Sequence, residues 1–288
     1  MAIARYHIGT TQWGVKEWAG VFYTDAVKPS QYLSQYASVF NSVEGNMTSY
    51  RAPDPETVKK WGEAVPEGFR FCFKFPQKIT HYRRLNDVYD EIMQFIQLFE
   101  PIREHTGPFH IQLGSRFSYN EFDKLAGVLG KLPADYAYAV EVRHPDFYDR
   151  GKKENHLLHV LRDLNVDRVI FDTRKLHSSK GGEQSVKDAQ QKKPQLPVRF
   201  DSTGSRPFLR FVGVNDVLNN QAYLKEWAIV VADWIRDGLH PYVFIHAPDP
   251  FYAPNLARYF HQELSKLISI GPLPQWPADR QDEQLGLF

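Results

Sequence analysis

Apolar and polar positions along the chain follow two rhythms. The first has a period of two. Phe69-Arg70-Phe71-Cys72-Phe73-Lys74-Phe75 alternates without interruption, and Val140 and Val142 interleave with Glu141 and Arg143. Such spacing predicts strands with two distinct faces. Shorter runs at 6–10, 42–46, 108–113, 168–172, 208–213 and 242–246 read the same way. The second rhythm is helical. Tyr32, Leu33, Tyr36, Val39 and Phe40 form one stripe, and Val88, Ile92, Phe95, Ile96 and Phe99 form another. Further stripes run through Phe122, Leu125 and Leu129, through Leu157, Leu161 and Leu164, through Tyr223, Trp227 and Trp234, and through Leu256, Phe260 and Leu264. Asp54-Pro55-Glu56 adds an N-cap, a first-turn proline and an acidic first turn for a helix through Val58 and Trp61.

Strand and helix thus alternate about eight times, which predicts an α/β fold with parallel strands, specifically a single (β/α)8 TIM barrel. A doubly wound open sheet is the alternative; no Gly-rich phosphate fingerprint follows the first strand to support it. Residues 1–270 are expected to form the barrel, with a long insertion at 173–207 acting as a lid or remaining disordered. Residues 271–288, opening Gly271-Pro272-Leu273-Pro274, are expected to form a flexible tail.

Strand parity predicts which polar side chains enter the barrel. If Phe71, Phe73 and Phe75 face the helices, Lys74 points inward. The same rule places Glu44 and Asn46 inside from the second strand, and His110 and Gln112 from the fourth. Glu141 and Arg143 follow from the fifth, Asp172 from the sixth, Arg210 from the seventh and His246 from the eighth. These positions lie near the C-terminal strand ends, where barrel enzymes keep their sites. Buried charges are costly unless paired or used. The candidate catalytic set is therefore Glu44, Lys74, His81, Glu141 and His144, with Glu44 or Glu141 as base and His81 or His144 as acid. Asn46, Gln112, Arg143, Asp172, Arg210 and His246 are candidate substrate-binding residues. Ion pairs that merely plug the barrel mouth are the competing explanation.

Charge refines this picture. The whole chain carries a net charge of +1, so it is not a general polyanion binder. Yet Lys78, His81, Arg83, Arg84, Arg116 and His144 follow strand ends, and 173–207 carries eight Lys or Arg against three Asp or Glu. Basic loops on one face suggest an anionic, phosphate-bearing substrate, with nucleic-acid-linked ones among the candidates, and hydrolase or phosphodiesterase-type chemistry. A non-enzymatic ligand- or clamp-binding module is the other reading. No Ser nucleophile elbow or His-Glu-x-x-His helix occurs. No cofactor or metal is predicted; a divalent metal on Glu44, Glu141, Asp172 and His246 would compete with the neighbouring cations. The single Cys72 excludes an internal disulfide and fits a reducing compartment. No apolar signal core opens the chain and no run of about 18 apolar residues occurs, so a cytoplasmic location without membrane contact is expected.

Several motifs together resemble the domain-of-unknown-function-72, or YecE-like, family. They include Ile8-Gly9-Thr10-Thr11-Gln12-Trp13, Phe40-Asn41-Ser42-Val43-Glu44 with Asn46, Pro66-Glu67-Gly68-Phe69-Arg70-Phe71 leading to Lys74, Ile79-Thr80-His81, Glu141-Val142-Arg143-His144-Pro145 and Ala253-Pro254-Asn255. The resemblance spans most of the chain. It implies a TIM barrel and no particular activity. Ile245-His246-Ala247 and Phe211-Val212-Gly213 depart from the family pattern. The terminal Gln284-Leu285-Gly286-Leu287-Phe288 resembles the peptide by which partners bind the bacterial DNA sliding clamp. Gln284, Leu285, Leu287 and Phe288 would make that contact.

Overall fold

A computed structural model describes residues 6–280. Among the described residues there are eight strands: β1 His7–Gly9, β2 Ser42–Gly45, β3 Arg70–Phe73, β4 Phe109–Gln112, β5 Tyr138–Glu141, β6 Asp167–Asp172, β7 Phe208–Val212 and β8 Tyr242–His246. Each lies at a predicted run. All pair in parallel, in a six-stranded sheet ordered β1-β8-β7-β6-β5-β4 and a two-stranded sheet of β2 and β3. Two local contacts span the gaps between the sheets. The Glu44 amide donates to the Thr10 carbonyl at 3.0 Å, and Lys74 bridges in parallel to His110. The established arrangement is thus an α/β fold with a curled parallel sheet.

The helices are α1 Tyr32–Ala37, α2 Pro55–Glu63, α3 Tyr89–Gln97, α4 Phe122–Leu129, α5 Lys152–Asp163, α6 Arg174–Ser178, α7 Gln184–Lys192, α8 Val217–Arg236 and α9 Ala253–Ser265. Asp54 caps α2 by accepting from the Thr57 amide at 2.8 Å. The outer faces of the strands bury aromatic side chains against this layer. Phe73 stacks on Phe99 with ring centroids 3.9 Å apart, and Phe75 meets Phe95 edge-on at 5.3 Å. Close approach also fixes β1 on β2. A Cβ on Gly9 would lie 1.9 Å from the Ser42 carbonyl oxygen, so any larger residue would push the strands apart.

The stretch 173–207 is neither a bare loop nor disordered. It folds into α6 and α7, and Leu176, Val186 and Ala189 bury themselves against Phe171 and Val212. An amphipathic pair of short helices thus covers the β6–β7 side of the sheet. The proline-rich leader after 270 is also partly docked. Trp276 is buried against Phe22 and Phe40 and beneath the Arg258 guanidinium. Residues Gln284 to Phe288 lie outside the described residues.

Candidate functional site

Inside the curl, side chains stack in two layers. Cys72, Ala139, Val169, Phe208, Tyr242 and Phe244 form a separate apolar cluster at the lower level. Above it the inward residues become charged. Residues opposite each other in a parallel pair share a face, and the register matches Glu44 with Cys72, Gln112 with Glu141, and Val212 with His246. The predicted inward set therefore converges, with one exception.

Arg210 is the hub. Its Nε lies 3.0 Å from Glu44 Oε2, its Nη2 lies 2.8 Å from Glu44 Oε1, and its Nη1 donates to Glu141 Oε2. Arg143 donates through Nε to Glu141 Oε1 at 2.6 Å and through Nη2 to Gln112 Oε1 at 2.9 Å. The His246 Nε2 lies 3.0 Å from Glu44 Oε2. The His110 ring sits between the two carboxylates, with Nδ1 3.5 Å from Glu44 and Nε2 3.2 Å from Glu141. Glu44 and Glu141 are fully buried. Burial alone would raise both carboxyls. Arg210, His110 and His246 offset this for Glu44, and Arg143 and Arg210 for Glu141, holding both well below the ordinary range.

The cations do not share this satisfaction evenly. Lys74 Nζ reaches Asn46 Oδ1 at 3.4 Å, and among the described residues no carboxylate lies within salt-bridge distance of it. Burial, then Arg210, pushes Lys74 down to about 7. Lys193, just after α7, faces the same cluster across the Phe171 ring at 6.0 Å. Burial and Arg210 push it down to about 8. Burial pushes His246 down to about 3 despite Glu44. Gln112 Nε2 approaches His81 Nε2 at 3.3 Å, and His81 Nδ1 lies 2.8 Å from Thr80 Oγ1. Since the Gln112 amide nitrogen only donates, this network assigns the His81 proton to Nδ1. Burial, then Arg143 and Lys74, lowers the His81 pKa.

Asp172 is the exception. The register places Phe171, not Asp172, opposite Arg210. Phe171 therefore faces the cup and lies 5.0 Å beneath the Arg210 guanidinium. Asp172 points into the helical layer, where it accepts from Trp227 Nε1 at 2.7 Å and pairs with Arg174. His144 also falls outside the cluster. It caps its own turn, with Nδ1 accepting from the Asp146 amide at 3.2 Å. Several of the basic loop residues are paired: Lys78 and Arg83 with Glu91, Arg84 with Glu121, and Arg199 with Glu154. Lys193 and Phe171 were not legible as site residues. Lys193 sits in an insertion whose path only packing reveals.

Among the described residues, no group of three or more His, Cys, Asp or Glu is placed to hold a metal ion. Nor is any helix among them long and apolar enough to cross a membrane.

Comparison with known proteins follows this geometry. The family model described as "Protein of unknown function DUF72" matches residues 7–279. UPF0759 protein YecE of Escherichia coli (strain K12) is 36% identical over 272 residues, covering 94% of this chain and 97% of that protein. A solved DUF72 family protein from Enterococcus faecalis V583 superposes with a TM-score of 0.68 at 18% identity, covering 94% of this chain and 98% of that one. A second, from Thermotoga maritima MSB8, gives 0.65 at 22% identity, with 90% and 99% covered. These solved structures support the fold.

Proposed function

The chain belongs to the DUF72 family of proteins of unknown function, and from that premise we propose that it is an enzyme acting on an anionic, phosphate-bearing substrate. The reaction class is hydrolytic, of the phosphodiesterase type, in the cup at the C-terminal strand ends. In this reading β1 to β8 form one closed eight-stranded barrel, with the Thr10–Glu44 and Lys74–His110 contacts as its seams. Residues 6–270 are then the catalytic domain.

The surplus of cations carries the reading. Two buried carboxylates pair with Arg210 and Arg143, so that Lys74 and Lys193, which face the same four groups, have no carboxylate of their own within salt-bridge distance among the described residues. Buried cations held together without counter-ions complete their electrostatics with an anion. Lys193 and Arg143 would hold it, with Lys74 beside them as a catalytic residue. His81, at the mouth with Nε2 directed inward, would transfer the proton. Glu44 and Glu141 fit a positioning role better than that of a base, because their arginine partners hold both carboxyls well below the ordinary range. Exposed Tyr50 and Tyr82 follow β2 and β3, beside exposed Arg51 and Arg116. Tyrosines interleaved with arginines suit nucleobases attached to the phosphate. Turnover of a panel of phosphomonoesters and phosphodiesters tests this. Wild type should hydrolyse at least one of them, and Glu141→Gln should abolish that activity by loosening Arg143 and Arg210.

The pairing of both carboxylates with arginines supports a second reading, a binding module without chemistry. Phosphate-ester binding with no turnover would select it. Gln284 to Phe288 would tether either version to a bacterial sliding clamp. A short apolar peptide of this kind binds in the micromolar range, about −8 kcal/mol. Alanine at both Leu287 and Phe288 should eliminate clamp binding in a titration; equal binding by both proteins would refute the tether.

A further inference from the structure

Lys74 is an unusual lysine by geometry. Lysine is almost never buried without a carboxylate. Here the side chain is 9% exposed and stands just after β3 on the inward face. Its amine has one long hydrogen bond, to Asn46 Oδ1 at 3.4 Å. The charged groups facing it come from every side of the cup: Glu44 on β2, Glu141 and Arg143 at the end of β5, Arg210 on β7 and His81 after β3. The two carboxylates are already held by arginine. The buried amine therefore sits beside two arginines and two carboxylates that those arginines already hold, with one long hydrogen bond and no ion pair among the described residues.

We propose that Lys74 is a carbonyl-reactive amine that forms an imine with an aldehyde or ketone whose anionic group is held by Arg143 and Lys193. The inference rests on the cup being a site for an anionic substrate, and it narrows that substrate to a small oxo acid or a carbonyl-bearing phosphate ester. A neutral amine is the reactive form, and burial beside Arg210 brings Lys74 to about 7, against 10.5 for an ordinary lysine. The Nζ lone pair attacks the carbonyl carbon, the carbonyl electron pair moves to oxygen, and one Nζ proton passes to that oxygen to give the carbinolamine. Its hydroxyl then leaves as water with a second proton delivered through His81, the nitrogen lone pair closes the C=N bond, and the remaining Nζ proton returns to His81. One water leaves for each imine formed, and hydrolysis reverses the step without any redox change.

Reductive trapping tests this on the full-length protein. Glyoxylate, glycolaldehyde phosphate and propanal are each incubated with it in sodium cyanoborohydride, and adducts are mapped by peptide mass spectrometry. Lys74 should be labelled by the two anionic aldehydes at least about tenfold faster than any surface lysine at pH 7. Its labelling rate should rise with pH to a half-maximum near 7. Lys74→Arg, which keeps the charge, should erase that adduct and leave surface labelling unchanged. Absent labelling at Lys74, or labelling no faster than at surface lysines, overturns the proposal. Propanal labelling Lys74 as fast as the anionic aldehydes would keep the imine and remove the anion site. Phosphate binding without any Lys74 adduct would do the opposite.

Discussion

The lower and upper layers of the sheet interior come from the same strands and are built from opposite materials. Cys72, Ala139, Val169, Phe208 and Phe244 fill the lower one. Two residues further along those strands stand Lys74, Glu141, Phe171, Arg210 and His246. The backbone and its parity are shared, so the fold does not require the change. The lower layer shows that apolar side chains fill this interior well. Burying ion pairs costs desolvation that their attraction seldom repays. On the proposed reading, the upper layer serves binding or chemistry rather than stability.

Breaking the upper layer one charge at a time should have the largest effect. Arg210→Met leaves Glu44 and Glu141 buried without their shared partner and should cost about 3–5 kcal/mol in urea unfolding. Phe208→Ala in the lower layer should cost a similar ~3–5 kcal/mol by leaving a cavity, while sparing phosphate binding. Replacing Glu44, Glu141 and Arg210 together with Leu, Leu and Met sharpens the contrast. That variant should be as stable as wild type or up to ~1–4 kcal/mol more stable, and should still bind phosphate through the cations that remain, Arg143 and Lys193. A triple variant as unstable as Arg210→Met would show that the ions hold the fold.

Lys74 gives a subtler test through pH. Its pKa falls from 10.5 in the unfolded chain to about 7 in the folded one, so between those values the unfolded chain binds more protons. Its contribution to stability is present above 10.5 and is lost as pH falls towards 7. Lys74→Met should therefore stabilise the protein most near pH 7, with the gain shrinking as pH rises. A gain independent of pH would place Lys74 in an ordinary environment. The smallest effect is expected at the tail, where Leu287→Ala with Phe288→Ala should leave the unfolding midpoint unchanged.

Much of this was legible in the sequence. The Phe71–Phe73–Phe75 alternation set the parity of β3, and with it Lys74. Glu44, Gln112, Glu141, Arg143, Arg210 and His246 followed by the same rule. His246 joins Glu44 at 3.0 Å. Asp172 misled because β6 is apolar on both faces, so periodicity could not say which residue turned inward. Only its register with β7 decides that Phe171 does. His144 and the basic loops misled because local partners, Asp146 and Glu91 among them, are invisible until the loops are folded. Lys193 was hidden for the reverse reason, since it reaches the cup only through the packing of α6 and α7.

The central claim is that the upper layer holds an anion. Isothermal titration of inorganic phosphate into the full-length protein and into Lys193→Ala tests it most directly. Lys193 pairs with no carboxylate among the described residues, so its removal should not disturb the buried network. The account predicts a single phosphate site in wild type, weakened on the order of tenfold in Lys193→Ala by the loss of about 1.4 kcal/mol. No binding to wild type, or identical binding by both proteins, would contradict it.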